Sequence, residues 1–424
     1  MDRSQYKPRL IDQHVENYLS AFGAVCIEGP KWCGKTWTSN FHSKSAIYIG
    51  SPEGNFSNRR LAELSPSLVL VGETPRLIDE WQEVPPLWDA VRAEVDRRGK
   101  KGQFVLTGSA TPNRKGVMHS GAGRIAMLRM HPMSLFESGN SSGEVSLKDL
   151  CAGKIAPKLT RQTELSELID YIVRGGWPGN QDLPLEQAAL VPGQYINAIL
   201  NNDVHEIDGI SRDTDKVRLL LRALARNEST TASIQTLTRD VMAFDAKSID
   251  RETVRVYLDL FARMFLTENQ PPFNENIRSS VRVKQMEKRH LADPSLSAAL
   301  LGATPEMLIS DLDTLGFLFE ALCERDLRIY TETFGAKLYH YQDYVGKEVD
   351  AVIENPDGTW CALEIKLGAN NIDAAAKKLL DLSVRITNEG GVPPRVNCVI
   401  SGLVNAIYQR DDGVIVVPIT ALRD

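Results

Sequence analysis

Gly29-Pro30-Lys31-Trp32-Cys33-Gly34-Lys35-Thr36 fits G-x-x-x-x-G-K-[ST] at every fixed position. The apolar run before it, Ala24-Val25-Cys26-Ile27, reads as a strand, and the residues from Thr36 to Phe41 can start a helix. Strand, glycine loop, helix is the order a phosphate cradle requires. Backbone N–H groups of such a loop converge on the phosphates, and the helix start adds its positive dipole end. Lys35 then reaches the β- and γ-phosphates and the Thr36 hydroxyl takes a place on Mg²⁺. The expected nucleotide-contacting set is this whole loop together with Trp37, which follows it directly. The competing reading is an ordinary glycine turn between strand and helix.

A second acidic site turns a nucleotide loop into a hydrolase. Arg76-Leu77-Ile78-Asp79-Glu80 is a short apolar strand closing on two carboxylates. Asp79 suits the Walker B task of holding Mg²⁺, and Glu80 suits the activation of a water for attack on the γ-phosphate. Gln103-Phe104-Val105-Leu106-Thr107-Gly108-Ser109 is another buried-type strand ending in small polar groups. Ligands of open parallel sheets lie off the carboxyl ends of the strands, so Thr107 or Ser109 is placed to sense the γ-phosphate. Gly123-Arg124 precedes the strand Ile125-Ala126-Met127-Leu128. Arg124 is thereby placed at the domain edge, projecting toward a neighbour's nucleotide or forming a surface ion pair.

Residues 1 to about 135 resemble the AAA-type ATPase domain of a large prokaryotic family of predicted ATPases that carry a C-terminal domain of unknown function. The resemblance rests on Arg9-Leu10-Ile11, Ile27-Glu28-Gly29-Pro30 with the loop, Leu77-Ile78-Asp79-Glu80-Trp81-Gln82, Leu106-Thr107-Gly108-Ser109, Gly123-Arg124 and His131-Pro132-Met133-Ser134-Leu135-Phe136-Glu137. It implies a AAA+ or STAND-like fold, Arg124 at the arginine-finger position, and a homo-oligomer, expected to be a hexamer. It also implies ATP rather than GTP, since no Asn-Lys-x-Asp motif occurs in the chain.

Composition sets the frame around these motifs. A chain of 424 residues holds about three domains. The net charge of −6 declares no general polyanion-binding surface, so any contact with DNA must be local. Cys26, Cys33, Cys151, Cys323, Cys361 and Cys398 lack C-x-x-C spacing and read as reduced thiols of a cytoplasmic protein. No apolar run is long enough for a membrane span.

The domain reading is 1–140 for the ATP-binding unit, 163–275 for a helical lid and winged-helix-like unit, and 276–424 for a C-terminal α/β unit. Residues 144–162 read as an irregular insertion. From Thr163 the pattern is helical until Gly175-Gly176-Trp177-Pro178-Gly179 stops it. Gly176 and Pro178 resemble the G-x-P of STAND lids, which packs on the nucleotide, and Arg174 leans toward phosphate from the same turn; a plain helix-breaking turn is the alternative. Val217 to Ala225 and Val254 to Met264 have helical spacing, with Ser248 or Asp250 as caps for the second helix. Helix, short helix, longer helix and then Phe265-Leu266-Thr267 is a winged-helix order. Arg251 and Arg255 share their helix with Glu252 and Asp259, which favours packing over DNA reading. The basic run Arg278, Arg282, Lys284, Lys288, Arg289 and His290 reads as a solvated linker that can touch phosphates. Asp203, His205, Glu206 and Asp208 lack the spacing of a metal site and read as a loop.

The C-terminal region carries its own signal. A helix with Glu320, a strand with Asp350 and a strand with Glu364-x-Lys366, joined by an Asp357-Gly358 turn, resemble the PD-(D/E)XK nuclease fold. Asp350 and Glu364 are expected to meet across a hairpin and bind a second Mg²⁺ with Glu320, Lys366 adjacent. Fold membership alone does not establish cleavage. Three functions therefore stand: an ATPase driving rearrangement of its oligomer, an ATP-gated nuclease acting on DNA, and a slowly hydrolysing STAND-like switch.

Overall fold

The chain was analysed as a computed structural model that describes residues 3–109, 117–204, 212–244, 249–274, 276, 278–279, 282, 285–343 and 346–424. β1 (Ala24–Glu28) is buried along its apolar run. It is flanked by parallel neighbours, β4 (Phe104–Gly108) and β5 (Ile125–Arg129). With β2 (Ser45–Tyr48) and β3 (Arg76–Asp79) they form a five-stranded sheet in the order β2-β3-β4-β1-β5, every pairing parallel. Unbroken apolar runs such as Phe104-Val105-Leu106 suit this, because a parallel sheet is covered on both faces. One consequence positions the site. All five strands end at the same edge, so the glycine loop, Asp79-Glu80 and Thr107-Gly108-Ser109 collect there although β4 separates β1 from β3.

The middle of the chain is helical. α4 (Thr214–Arg226), α5 (Ile234–Phe244), α6 (Arg251–Arg263) and α7 (Pro294–Leu301) share one core that includes Val217, Leu224, Leu237, Phe261 and Leu296. Asp250 caps α6 by accepting from the Thr253 N–H at 2.7 Å; Ser248, the other cap expected, lies outside the described residues. After α6 the chain pairs with itself, Thr267 opposite Leu291 and Gln270 opposite Lys288, both antiparallel. The boundary expected at 275 therefore falls too early. Leu291, Leu296 and Leu300 bury in the helical core, which carries this unit to the end of α7.

The expected irregular insertion is structured. β6 (Val145–Ser146) pairs with β14 (Leu422–Arg423), and β7 (Lys158–Leu159) pairs with β12 (Ala406–Gln409). Between them α2 (Leu147–Cys151) buries Leu147, Leu150 and Cys151. The partners of this stretch lie some 250 residues onward, so no local period announces it. α3 (Leu165–Arg174) likewise packs Leu168, Ile169 and Ile172 into the C-terminal core rather than the middle one.

That core belongs to a seven-stranded mixed sheet, ordered β7-β12-β13-β11-β10-β9-β8. Its remaining strands are β8 (Lys337–Gln342), β9 (Glu348–Glu354), β10 (Trp360–Lys366), β11 (Val396–Ser401) and β13 (Ile415–Pro418). The long α8 (Leu312–Thr333) packs in one buried cluster and α9 (Ile372–Asn388) in the other, the two clusters taking alternate residues of β10 and of β9 from Ala351 onward. β9 and β10 are an antiparallel hairpin with Leu363 opposite Ala351, and Gly358 turns it at φ +81°. Among the described residues no helix is long and apolar enough to cross a membrane, and all six cysteines are free and buried.

Candidate functional site

Gly34 opens α1 (Lys35–Phe41) at φ +108°, a conformation that favours glycine. Gly29 tolerates no side chain, since a Cβ there would stand 2.1 Å from the Met130 carbonyl oxygen. Between them Lys35 is buried and folds back on the loop, donating to the carbonyls of Gly29 at 3.0 Å and Pro30 at 2.8 Å. A phosphate oxygen is a stronger, charged acceptor than either carbonyl.

Asp79 lies at the same edge, 8% exposed. Burial raises its pKa, helped by the charge of Glu80, while the Thr107 and Thr36 hydroxyls and Lys35 favour its anion. Thr107 Oγ1 donates to Asp79 Oδ1 at 2.8 Å and accepts from the Glu80 N–H at 2.9 Å. Glu80 has φ +57°, uncommon for a residue with a side chain, and its carboxylate accepts from Ser109 Oγ at 3.0 Å and from Gln82 Nε2. Thr107 and Ser109, expected as sensors of the γ-phosphate, thus hold the two acidic residues in place. Gln82 joins them; the sequence assigned it no role.

Other partners of the loop were not foreseen. The Arg9 guanidinium donates to the Cys33 and His131 carbonyls at 2.8 Å each and pairs with Glu137 at 2.9 Å. Two motifs that carried the family resemblance are therefore one buried strut behind the loop. Glu28, the residue before Gly29, has its pKa pushed up to about 7 by burial, against the pull of Arg129 and Lys35. Lys31 pairs with Asp203 at 2.7 Å; His205, Glu206 and Asp208 lie outside the described residues. Trp37 is half-buried.

The turn after α3 does reach the loop. Pro178 Cγ stands 3.5 Å from where a Gly34 Cβ would be, Trp177 stacks on Trp32 at 6.5 Å, and the Gly176 carbonyl accepts from the Met133 N–H at 2.5 Å. Arg174 does not. It pairs with Asp170 at 2.8 Å and donates to the carbonyls of Asn180, Gln181 and Leu183, fastening the turn instead of facing phosphate. Arg124 is 47% exposed and pairs with Asp96 at 2.9 Å. Its carbonyl accepts from the Ala24 N–H, at the start of β1. That is the edge opposite the loop, about 16 Å away at ~3.3 Å per strand residue, so Arg124 serves no nucleotide of its own subunit.

In the C-terminal unit Asp350 and Glu364 share a face. Lys366 Nζ lies 2.9 Å from Asp350 Oδ2 and 2.8 Å from Glu364 Oε2, and Lys378 Nζ of α9 lies 2.7 Å from Glu364 Oε1. Glu320 on α8 pairs with Lys288 at 2.5 Å. Burial pushes Glu320 up to about 8 in spite of Lys288. For Asp350 burial is outweighed by Lys366, Lys288 and Lys378, and its pKa is lowered. The expected metal cage is not standing: among the described residues no group of three histidine, cysteine or acidic side chains is arranged to hold an ion. Ammonium groups lie between the carboxylates. The basic run is corrected with it. Lys288 and His290 are buried, His290 against Glu228, and Arg282 pairs with Glu354 at 2.8 Å; Lys284 lies outside the described residues.

Residues 21–138 match the family model described as an AAA domain. Residues 165–307 and 315–422 match two models each described as a domain of unknown function, DUF8612 and DUF4143. Two uncharacterized proteins, Mb2031c of Mycobacterium bovis and Rv2008c of Mycobacterium tuberculosis, are each 24% identical over 338 residues, covering 78% of this chain and 67% of theirs. Among solved structures the Walker-type ATPase PABY2304 of Pyrococcus abyssi aligns with a TM-score of 0.39 at 12% identity, over 70% of this chain and 97% of that one. AMPPCP-bound DnaA from Aquifex aeolicus aligns with a TM-score of 0.26 at 13% identity, over 59% and 84%. The AAA-domain match spans the glycine loop, Asp79, Glu80, Thr107, Ser109 and Arg124, so the N-terminal unit is an AAA-type domain.

Proposed function

We propose that the chain binds Mg-ATP on the loop Gly29–Thr36 and hydrolyses it, Glu80 accepting the proton of the attacking water, to rearrange a homo-oligomer, a hexameric ring. The reading is supported by the convergence of Lys35, Thr36, Asp79 and an already oriented Glu80 on one sheet edge. Thr36 and Asp79 would hold Mg²⁺, since a hard cation takes oxygen ligands and these two interact. The bound ion would supply positive charge at the phosphates. The chain's own residues do the rest: Lys35 neutralises, Glu80 takes a proton, and Ser109 and Gln82 keep Glu80 aimed. Phosphate release by the purified protein tests this. Wild type should turn over Mg-ATP and Lys35→Ala should not; equal release by both would refute it.

The contact of Pro178 and Trp177 with the loop supports a slower variant of the same chemistry, a STAND-like switch that closes its lid on nucleotide. One turnover per subunit followed by retained ADP would mark the switch, and sustained turnover the motor.

The meeting of Asp350, Glu364 and Lys366 supports a further activity, a metal-dependent nuclease of PD-(D/E)XK type acting on DNA. Both Glu364 oxygens are sealed from solvent, and each lies against an ammonium, Lys366 at 2.8 Å and Lys378 at 2.7 Å. A divalent ion held by Glu320, Asp350 and Glu364 would have to displace the Lys366 and Lys378 ammoniums from Asp350 and Glu364. Nicking of plasmid in Mn²⁺ that Glu364→Ala removes, with ATP hydrolysis unchanged, is the test. The helices α4 to α6 with the following hairpin have winged-helix order, and α6 exposes Arg251 and Arg255 beside Glu252 and Asp259. We assign that mixed face to docking rather than to DNA reading.

A further inference from the structure

We infer that Arg129 is a positioning residue for the glycine loop: it takes up the charge of Glu28, so that Lys35 stays available to phosphate. This rests on the Mg-ATP reading above and adds to it a determinant of binding outside the loop and the acidic pair.

Glu28 is the last residue of β1 and directly precedes Gly29. Its register partners are Gly108 on β4 and Arg129 on β5. Register partners of parallel strands stand side by side, and Gly108 has no side chain, so the flanking side chain at this level is a cation. Lys35 acts on Glu28 from the loop, buried and folded on the Gly29 and Pro30 carbonyls. What surrounds Glu28 is therefore charge: burial raises its pKa to about 7, and Arg129 and Lys35 pull against that rise. An ionised Glu28 beside the loop opposes an entering triphosphate in two ways. It repels the phosphates, and it competes with them for Lys35. At an effective dielectric of roughly 20, one such uncompensated charge weakens binding about tenfold or more. Arg129 offsets it.

Arg129 is held in place from its far side. Its Nε donates to Glu268 Oε1 at 2.8 Å and its guanidinium lies 3.8 Å from the centre of the Phe265 ring, both residues of the stretch that follows α6. Burial would raise the Glu268 pKa, but Arg129, His131 and Arg328 of α8 bring it below its ordinary value. Glu268 thus has a second arginine bearing on it, and Arg129 is not spent on Glu268 alone. It stands between two carboxylates, one in the middle unit and one at the loop. An arginine that only tied the middle unit to the sheet would need Glu268 and no acid at position 28.

Equilibrium titration of the full chain with a fluorescent ATP analogue and Mg²⁺, at about pH 8 so that Glu28 is ionised, tests the role. Arg129→Gln should bind about tenfold or more weakly than wild type. Arg129→Lys, which keeps the charge, should stay close to wild type. Arg129→Gln combined with Glu28→Gln should recover wild-type affinity, and Glu268→Gln, which leaves Arg129 to Glu28, should not weaken binding. A merely structural arginine gives the reverse of both: no recovery in the double variant, and a loss in Glu268→Gln as large as in Arg129→Gln. Either of those results, or wild-type affinity in Arg129→Gln, would overturn the inference while the Mg-ATP reading stands; no Lys35-dependent binding by wild type would overturn both. Should Arg129→Gln fail to fold, Glu28→Gln alone decides. It should bind severalfold more tightly than wild type, since Arg129 and Lys35 then face the phosphates unopposed; unchanged or weaker binding sinks the inference.

Discussion

Thr107 and Asp79 face one another between adjacent parallel strands, the Thr107 hydroxyl donating to Asp79 at 2.8 Å and accepting from the Glu80 N–H at 2.9 Å. One small side chain therefore fixes a metal-type carboxylate and the backbone of the catalytic-type one. Thr107→Val keeps the shape and loses both bonds. Hydrogen bonds to charged groups are worth roughly 1.5–3 kcal/mol, so ATP turnover should fall about 10- to 100-fold, with nucleotide affinity changed far less. Steady-state phosphate release beside fluorescent-nucleotide titration measures the two. An unchanged turnover number would remove Thr107 from the site.

Glu80→Gln tests the base itself. The substitution keeps size and hydrogen-bonding to Ser109 but cannot take a proton. Binding of ATP should persist while hydrolysis drops by about two or more orders of magnitude. If the variant hydrolyses ATP at the wild-type rate, water activation lies elsewhere in the site.

Legibility from sequence followed the range of the interactions. The loop and the acidic pair could be read because each is a local string after an apolar strand, and the Asp350–Glu364 meeting because the short turn through Asp357-Gly358 joins their strands into a hairpin. Arg9 and Glu137 were both quoted as motif pieces, but they are 128 positions apart and nothing local pairs them. The basic run through Lys288 was misread for a related reason. A charge-rich stretch looks solvated until its counter-charge, Glu320 for Lys288 and Glu354 for Arg282, is brought in from a distant element. Residues 144–162 failed the same way, their apolar side chains few and their strand partners at the far end of the chain.

The Arg9–Glu137 strut carries a stability prediction. Burial alone would raise the Glu137 pKa, but Arg9 and the Ser134 and Leu10 N–H groups bring it below its ordinary value. A carboxylate with a depressed folded pKa stabilises above its unfolded value, about 4.3, and that contribution is lost as pH falls through the folded value. Removing one partner of a buried pair costs roughly 3–5 kcal/mol. Arg9→Ala should therefore lower the urea midpoint at pH 7 by a large margin and also weaken nucleotide binding, because the Cys33 carbonyl loses its donor. The gap between variant and wild type should narrow toward pH 3. A gap that is constant from pH 7 to pH 3 would show that the strut acts by packing rather than by charge.

Arg124 tests assembly. It lies at the edge of the sheet opposite the loop, exposed, tied only to Asp96 and to the Ala122 carbonyl among the described residues, and out of reach of its own nucleotide. An exposed pair of this kind contributes about 0–1 kcal/mol, so Arg124→Ala should leave the fold intact. If Arg124 instead completes a neighbour's site, its loss should cut turnover by about 10³ or more, the scale of an arginine finger. The decisive measurement is mixing. Arg124→Ala subunits keep a working loop and Lys35→Ala subunits keep the arginine, so inactive preparations of each should regain partial ATPase activity when combined. Recovery should track the fraction of mixed assemblies seen by mass measurement with ATP. A monomer that hydrolyses ATP at full rate, or an Arg124→Ala protein with unchanged turnover, would mean that each subunit works alone.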